Sequence, residues 1–183
     1  GSDCMAESFS GRLLVASPLL QDPNFYRTVV FVFEHGGDGA VGTVLNRPTD
    51  ESASQHLPAW QDLISAPDVV FVGGPVSNEI AIGVGEFGEG VLDVVKPMGI
   101  GFVDLSDPPD AERQPDRIRV FSGYSGWGAG QLEVELAVDS WFIVEATSDD
   151  VFGDPADLWS RVLRRQPGRV SLYAQFPEDL TLN

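Results

Sequence analysis

The sequence predicts an α+β protein built on a mainly antiparallel or mixed β-sheet, and three observations carry that prediction. Short segments rich in β-branched and aromatic residues outnumber helical ones. Only two or three stretches show helical spacing or a helix-start signal. The two kinds do not alternate as strand–helix–strand units, as a wound parallel sheet would require.

The first strand is expected at residues 12–16, where four apolar residues follow an arginine. Residues 28–34 (TVVFVFE) form a dense β-branched and aromatic run, and residues 40–45 (AVGTVL) follow His35-Gly36-Gly37-Asp38-Gly39. Glycine tolerates the positive φ of a tight turn, so this pair reads as a β-hairpin. Residues 50–64 are polar, with Pro58 in their midst, and suit a loop carrying one or two short helices. Residues 69–73 are a buried type of strand ended by Gly73-Gly74-Pro75. Residues 80–85 and 91–95 read as a second hairpin, with Gly85, Gly88 and Gly90 at its turn. A weaker strand is expected within 99–105, and 106–116, with three prolines, is a surface loop. Residues 117–122 form a strand that enters a glycine-rich loop at Gly123. In 131–138, Leu132 and Leu136 stand four apart with glutamates between them, the spacing of a short amphipathic helix. Residues 141–146 return to strand. Asp154-Pro155-Ala156-Asp157 places an acid at an N-cap, proline at the first helical position and an acid in the first turn. The helix it starts carries Leu158, Val162 and Leu163 on one side and ends near Gln166-Pro167-Gly168.

Composition bounds the function. With 183 residues, 43 % of them hydrophobic and four tryptophans, the chain can bury the core of one domain. The longest apolar run, residues 29–33, is too short to span a bilayer, so no membrane association is expected. No charged segment followed by an apolar one opens the chain, so the expectation is a soluble cytoplasmic protein without a signal peptide. Gly1-Ser2 reads as a cloning scar with Met5 as the native start, and Cys4 as an incidental lone thiol. The formal charge of −17, with eleven basic residues of which only Lys96 is lysine, opposes direct nucleic-acid binding. Arg161, Arg164, Arg165 and Arg169 cluster at the end of the last helix, where cations complement the helix dipole without any ligand.

The chain is punctuated by unusual strings: Ser17-Pro18…Asp22-Pro23…Arg27-Thr28, Glu34-His35-Gly36-Gly37, Val44-Leu45-Asn46-Arg47-Pro48, Gly73-Gly74-Pro75-Val76, and the run from Gly123-Tyr124-Ser125-Gly126-Trp127 to Gly130-Gln131-Leu132-Glu133. In this order they resemble the AlgH/YqgE family, small bacterial proteins whose members carry the label of transcriptional regulators. The resemblance runs from Gly11 to Asn183. It implies a small barrel-like sheet flanked by a few helices, forming one domain over 11–183; the polar segment at 1–10 before it is expected to be disordered. It implies no reaction.

Several constellations invite chemistry. Gly83-Val84-Gly85-Glu86-Phe87-Gly88 matches the dinucleotide-binding spacing, but strand-like residues follow it where a helix is needed, so a hairpin turn is the better reading. Gly123-Tyr124-Ser125-Gly126-Trp127 resembles a nucleophile elbow whose second glycine has become tryptophan. A hydrolase would pair Ser125 with His35, one of two histidines. The same segment could instead present backbone N–H groups to an anion, with Tyr124 or Trp127 stacking on a flat group and Gln131 opening the helix. Glu133 opposes that anion, and a core-packing role for these aromatics weighs more. Arg27, Asn46 and Arg47 form a second polar group able to hold a carboxylate or phosphate. Glu34, His35 and Asp38 lack the further His or Cys that a metal site needs. No metal, cofactor or catalytic residue is therefore assigned. Three functions remain: a non-enzymatic regulatory or interaction protein acting through unidentified protein partners, a small-molecule or anion-binding module, and a hydrolase.

Overall fold

The computed structural model describes residues 8–88, 99–112 and 114–175. Eight strands are present: β1 Arg12–Ala16, β2 Val29–Gly36, β3 Gly39–Val44, β4 Val70–Val72, β5 Val76–Glu86, β6 Ile100–Val103, β7 Arg117–Trp127 and β8 Trp141–Glu145. The helices are α1 Ala53–His56, α2 Gln131–Ala137, α3 Ser148–Phe152 and α4 Leu158–Arg164. Short 3₁₀ segments lie at Pro58–Trp60 and Gly168–Gln175. The sheet order is β6-β5-β7-β3-β2-β1-β8, antiparallel throughout, with β4 added to β7 in parallel. This is the expected α+β fold with a mainly antiparallel sheet. The sheet does not close on itself.

The strands lack a simple in–out alternation because the central sheet is covered on both faces. Side chains alternate along a strand, so Leu13 and Val15 of β1, with Val29, Phe31 and Phe33 of β2, meet α3 and α4. Leu14, Ala16, Val30 and Val32 point the other way, against Trp127, Leu132 and Trp141. A smaller cluster joins Ala53, Trp60, Val70, Ile118 and Val120 under α1.

β7 organises the molecule. Its first part pairs with β5 and β4, and its last residues pair with β3 through Ala40↔Trp127 and Gly42↔Ser125. The segment expected to be a glycine-rich loop is thus strand as far as Trp127, and the loop is only 128–130. Gly123 makes this possible: its φ of 71° would strain any side chain, and a Cβ there would lie 2.6 Å from the Gly74 carbonyl oxygen.

Two further expectations need correction. On the edge away from β7, β5 pairs with β6 through Gly83↔Val103 to Glu86↔Ile100, so Gly83 and Gly85 lie in strand and not in a turn. The proposed partner at 91–95 lies outside the described residues, as do Cys4 and Lys96. The last helix begins after Asp157, not at Asp154: the Asp154 carboxylate accepts the Ala156 N–H in a local turn, and Asp157 stands at the N-cap position of α4 with a left-handed φ of 56° and no side-chain capping bond. An additional helix, α3, precedes it. Thr147 and Asp150 close a reciprocal capping box, and the buried Asp150 carboxylate also accepts two N–H groups from Arg165. That contact holds the Arg165 guanidinium above its ordinary pKa. Among the described residues no helix is long and apolar enough to cross a membrane.

Candidate functional site

The site is assembled from the turn before β2 and the segment after β3. The turn folds on Asp22, whose backbone carbonyl accepts the N–H groups of Phe25 and Tyr26 and whose carboxylate accepts that of Asn24. At its end Arg27 adopts a left-handed backbone with φ 54°, uncommon for a residue with a side chain. Asn46 holds it there. Its amide donates to the Arg27 carbonyl at 2.9 Å and accepts the Val29 N–H at 3.0 Å, standing in for a strand beyond the end of β3. Arg47 donates to the Tyr26 carbonyl at 3.1 Å.

One side of this frame opens onto a cleft of about 910 Å³. Tyr26, Arg27, Asn46, Pro48 and the Ala66-Pro67 pair form one wall, and residues 154–160 form the other. The Arg27 guanidinium lies over the Trp159 ring, 4.1 Å from its centroid, while the indole N–H donates to the Ala16 carbonyl. The Tyr26 hydroxyl is buried without a hydrogen-bond partner among the described residues. Asp157, the other strained residue of this region, lines the opposite wall.

Arg119 ties the two walls together from below. It is 1 % exposed, and its guanidinium donates to the carbonyls of Val151 and Gly153 and to those of Ala66 and Phe152. It also lies over the Phe71 ring. Burial, with Arg117 nearby, draws its pKa down to about 10, which leaves it charged at neutral pH.

The other side of the frame holds a pocket of about 110 Å³, bounded by Asn24, Val44, Arg47, Val72, Gly74, Pro75 and Asn78. Burial also lowers the Arg47 pKa, and the charge of Asp22 partly offsets it.

The remaining candidates do not join this site. Ser125 is fully buried, and its hydroxyl donates to the Gly73 carbonyl at 3.0 Å. His35 uses both ring nitrogens elsewhere: Nδ1 accepts the Phe9 N–H, which assigns the proton to Nε2, and Nε2 donates to Glu133 at 2.5 Å. That contact holds the Glu133 carboxyl below the ordinary range. Trp127 is buried against Phe25 and Trp141, and its N–H donates to Glu135, which also accepts the Trp141 N–H. Gln131 accepts the Gly128 N–H and donates to the same glutamate. Tyr124 is half-buried on β7 and lines neither concavity. Glu34 and Asp38 border a depression of about 330 Å³ at the β2–β3 turn with His35. Among the described residues no three His, Cys, Asp or Glu side chains gather as metal ligands.

Of the residues singled out from the sequence, Arg27 and Asn46 line the cleft and Arg47 the smaller pocket; their neighbours Tyr26, Asn24, Asn78, Asp157 and Trp159, and Arg119 beneath, carry no such sequence signal apart from Asp157. The signal for Asp157 was present in Asp154-Pro155-Ala156-Asp157, where two acids competed for one helix start. Nothing local marks Arg119, since its partners are 32 to 53 residues away.

A family model described as AlgH-like matches residues 13–171. A UPF0301 protein of Thermobifida fusca is 47 % identical over 193 residues, covering 96 % of each chain. A UPF0301 protein of Mycobacterium tuberculosis is 41 % identical, covering 95 % of this chain and 90 % of its own. Among solved structures, a crystal structure of a Corynebacterium diphtheriae protein superposes with a TM-score of 0.84 at 28 % identity, over 93 % of this chain and 94 % of the other. The solution structure of AlgH from Pseudomonas aeruginosa gives 0.67 at 25 % identity, over 92 % and 94 %.

Proposed function

The chain belongs to the AlgH-like family, and from that premise we propose that it is a non-enzymatic regulatory or interaction protein whose large cleft takes the small molecule it responds to. The observation that carries this reading is the pairing of Arg27 and Asp157, two non-glycine residues with left-handed backbones, across one cleft. Each such residue costs on the order of 1 kcal/mol, and strain of this kind collects where a binding site needs a fixed geometry. The cleft volume lies within the range of small-molecule sites. Its lining combines proline, alanine and indole surface with Arg27, Asp154 and Asp157. That chemistry suits a compact organic molecule with an apolar body and polar ends. A binding role is favoured over hydrolysis because the Ser125 hydroxyl and both His35 nitrogens are engaged with other groups. The acidic charge favours protein partners as the route by which the bound state is read out.

Thermal unfolding with a chemically diverse set of small molecules tests the proposal. A ligand at a hundred times its Kd should stabilise the fold by about 2.7 kcal/mol. The stabilisation should fall sharply in Ala156→Trp, whose indole would crowd the cleft from an exposed rim position. Equal stabilisation of the variant would move the ligand elsewhere and defeat the proposal.

A further inference from the structure

We propose that the small pocket beside Arg47 is an anion subsite that takes one compact oxyanion, a carboxylate or a phosphate. Most of the half-buried and buried arginines of this acidic chain are engaged more fully than Arg47, while Arg164 and Arg169 are exposed. Arg12, Arg117 and Arg165 pair with carboxylates, and Arg119 and Arg161 donate to backbone carbonyls. Arg47 is half-buried, yet it spends one N–H on the Tyr26 carbonyl and enters no ion pair among the described residues. A guanidinium has five N–H donors in a planar fork that matches the oxygens of carboxylate and phosphate.

The surroundings complete the site. At about 110 Å³ the pocket is below the size of an organic-ligand site and suits a single oxyanion. Asn24 and Asn78 border it with side-chain amides that can turn their NH₂ groups inward. Gly74 also lines it, and its close packing on the Tyr124 carbonyl of β7 leaves no room for a side chain there. Burial disfavours the Arg47 charge, and a bound anion would supply the compensation that lost solvent does not. Asp22 opposes binding. Its field acts on Arg47, but its carboxylate is occupied by the Asn24 N–H at 2.8 Å. Neutralising Asp22 should therefore tighten the site.

The subsite and the large cleft share no lining residue, so either can fail without the other. The test is a titration of the full chain with inorganic phosphate, and separately with acetate, in chloride buffer at constant ionic strength, followed by the amide resonance of Gly74. Saturable shifts are expected with at least one anion, and the tighter of the two names the class. Arg47→Gln should weaken that affinity about tenfold or more, the scale of one charged hydrogen bond. Asp22→Asn should strengthen it. Asn78→Leu, at an exposed position, should weaken it while leaving the fold intact, and it carries the test if Arg47→Gln does not fold. No saturable shift with either anion, or unchanged affinity in the Arg47 and Asn78 variants, would overturn the proposal.

Discussion

The guanidinium of Arg119 shows how one residue can fix a site from beneath. Its N–H groups join the carbonyl of Ala66 to those of Val151, Phe152 and Gly153, so the segments leading into both walls of the cleft share one anchor. No carboxylate ion-pairs with it among the described residues; the backbone oxygens and the Phe71 ring stabilise the charge. Arg119→Met would leave four carbonyls without this donor and should lower stability by about 3 kcal/mol in urea unfolding. Arg119→Lys should recover little, because one ammonium cannot reach carbonyls on two segments. A stable Lys variant would show that the charge matters and the fork does not. Asn46 was legible as a polar candidate because it stands at a strand end beside Arg47. Arg119 was not, because an arginine amid β-branched residues reads like any half-exposed strand position until its distant acceptors are in place.

At the scale of elements, the glycine strings act through backbone proximity. Gly73 and Gly74 lie against β7, where a Cβ on Gly73 would meet the Gly123 carbonyl, and Gly123 in turn meets the carbonyls of Gly74 and Val76. Gly123→Ala adds a methyl 2.6 Å from one backbone oxygen and 2.7 Å from another, at a φ of 71°. Its expected cost is about 3 kcal/mol or more in denaturant midpoint analysis, since neither oxygen can retreat without breaking strand pairing. A cost under about 1 kcal/mol would show that β7 can bend away here. Most strands were legible because their runs are dense in Val, Ile and Phe. The tract from Gly123 to Trp127 was not, since glycine and serine there resemble loop composition while serving close strand packing. α3 escaped notice because its five residues lack apolar periodicity and depend on the Thr147–Asp150 box.

For the whole molecule, charge and fold make separate statements. The formal charge of −17 sets a mean field that opposes nucleic-acid phosphates, and part of the arginine cluster in and after α4 is already engaged. Arg165 is paired with Asp150, and Arg161 donates to the carbonyls of Asp154 and Ala156. The pure protein should therefore show no specific binding to promoter DNA at physiological salt by fluorescence anisotropy. Specific binding without a partner protein would contradict an indirect regulatory role. By itself the sequence determined the fold class, the bounds of most strands, the acidic surface and the family resemblance, because local propensity and composition act over a few residues. Tertiary structure alone decided which signature residues meet. It placed Arg27 and Asn46 on a cleft with Trp159, gave Arg47 a pocket with Asn24 and Asn78, and took Ser125, Trp127 and Gln131 into packing and internal hydrogen bonds. The physical reason is that these groups find their partners across strand pairings and buried contacts spanning tens of residues, and no local spacing encodes them.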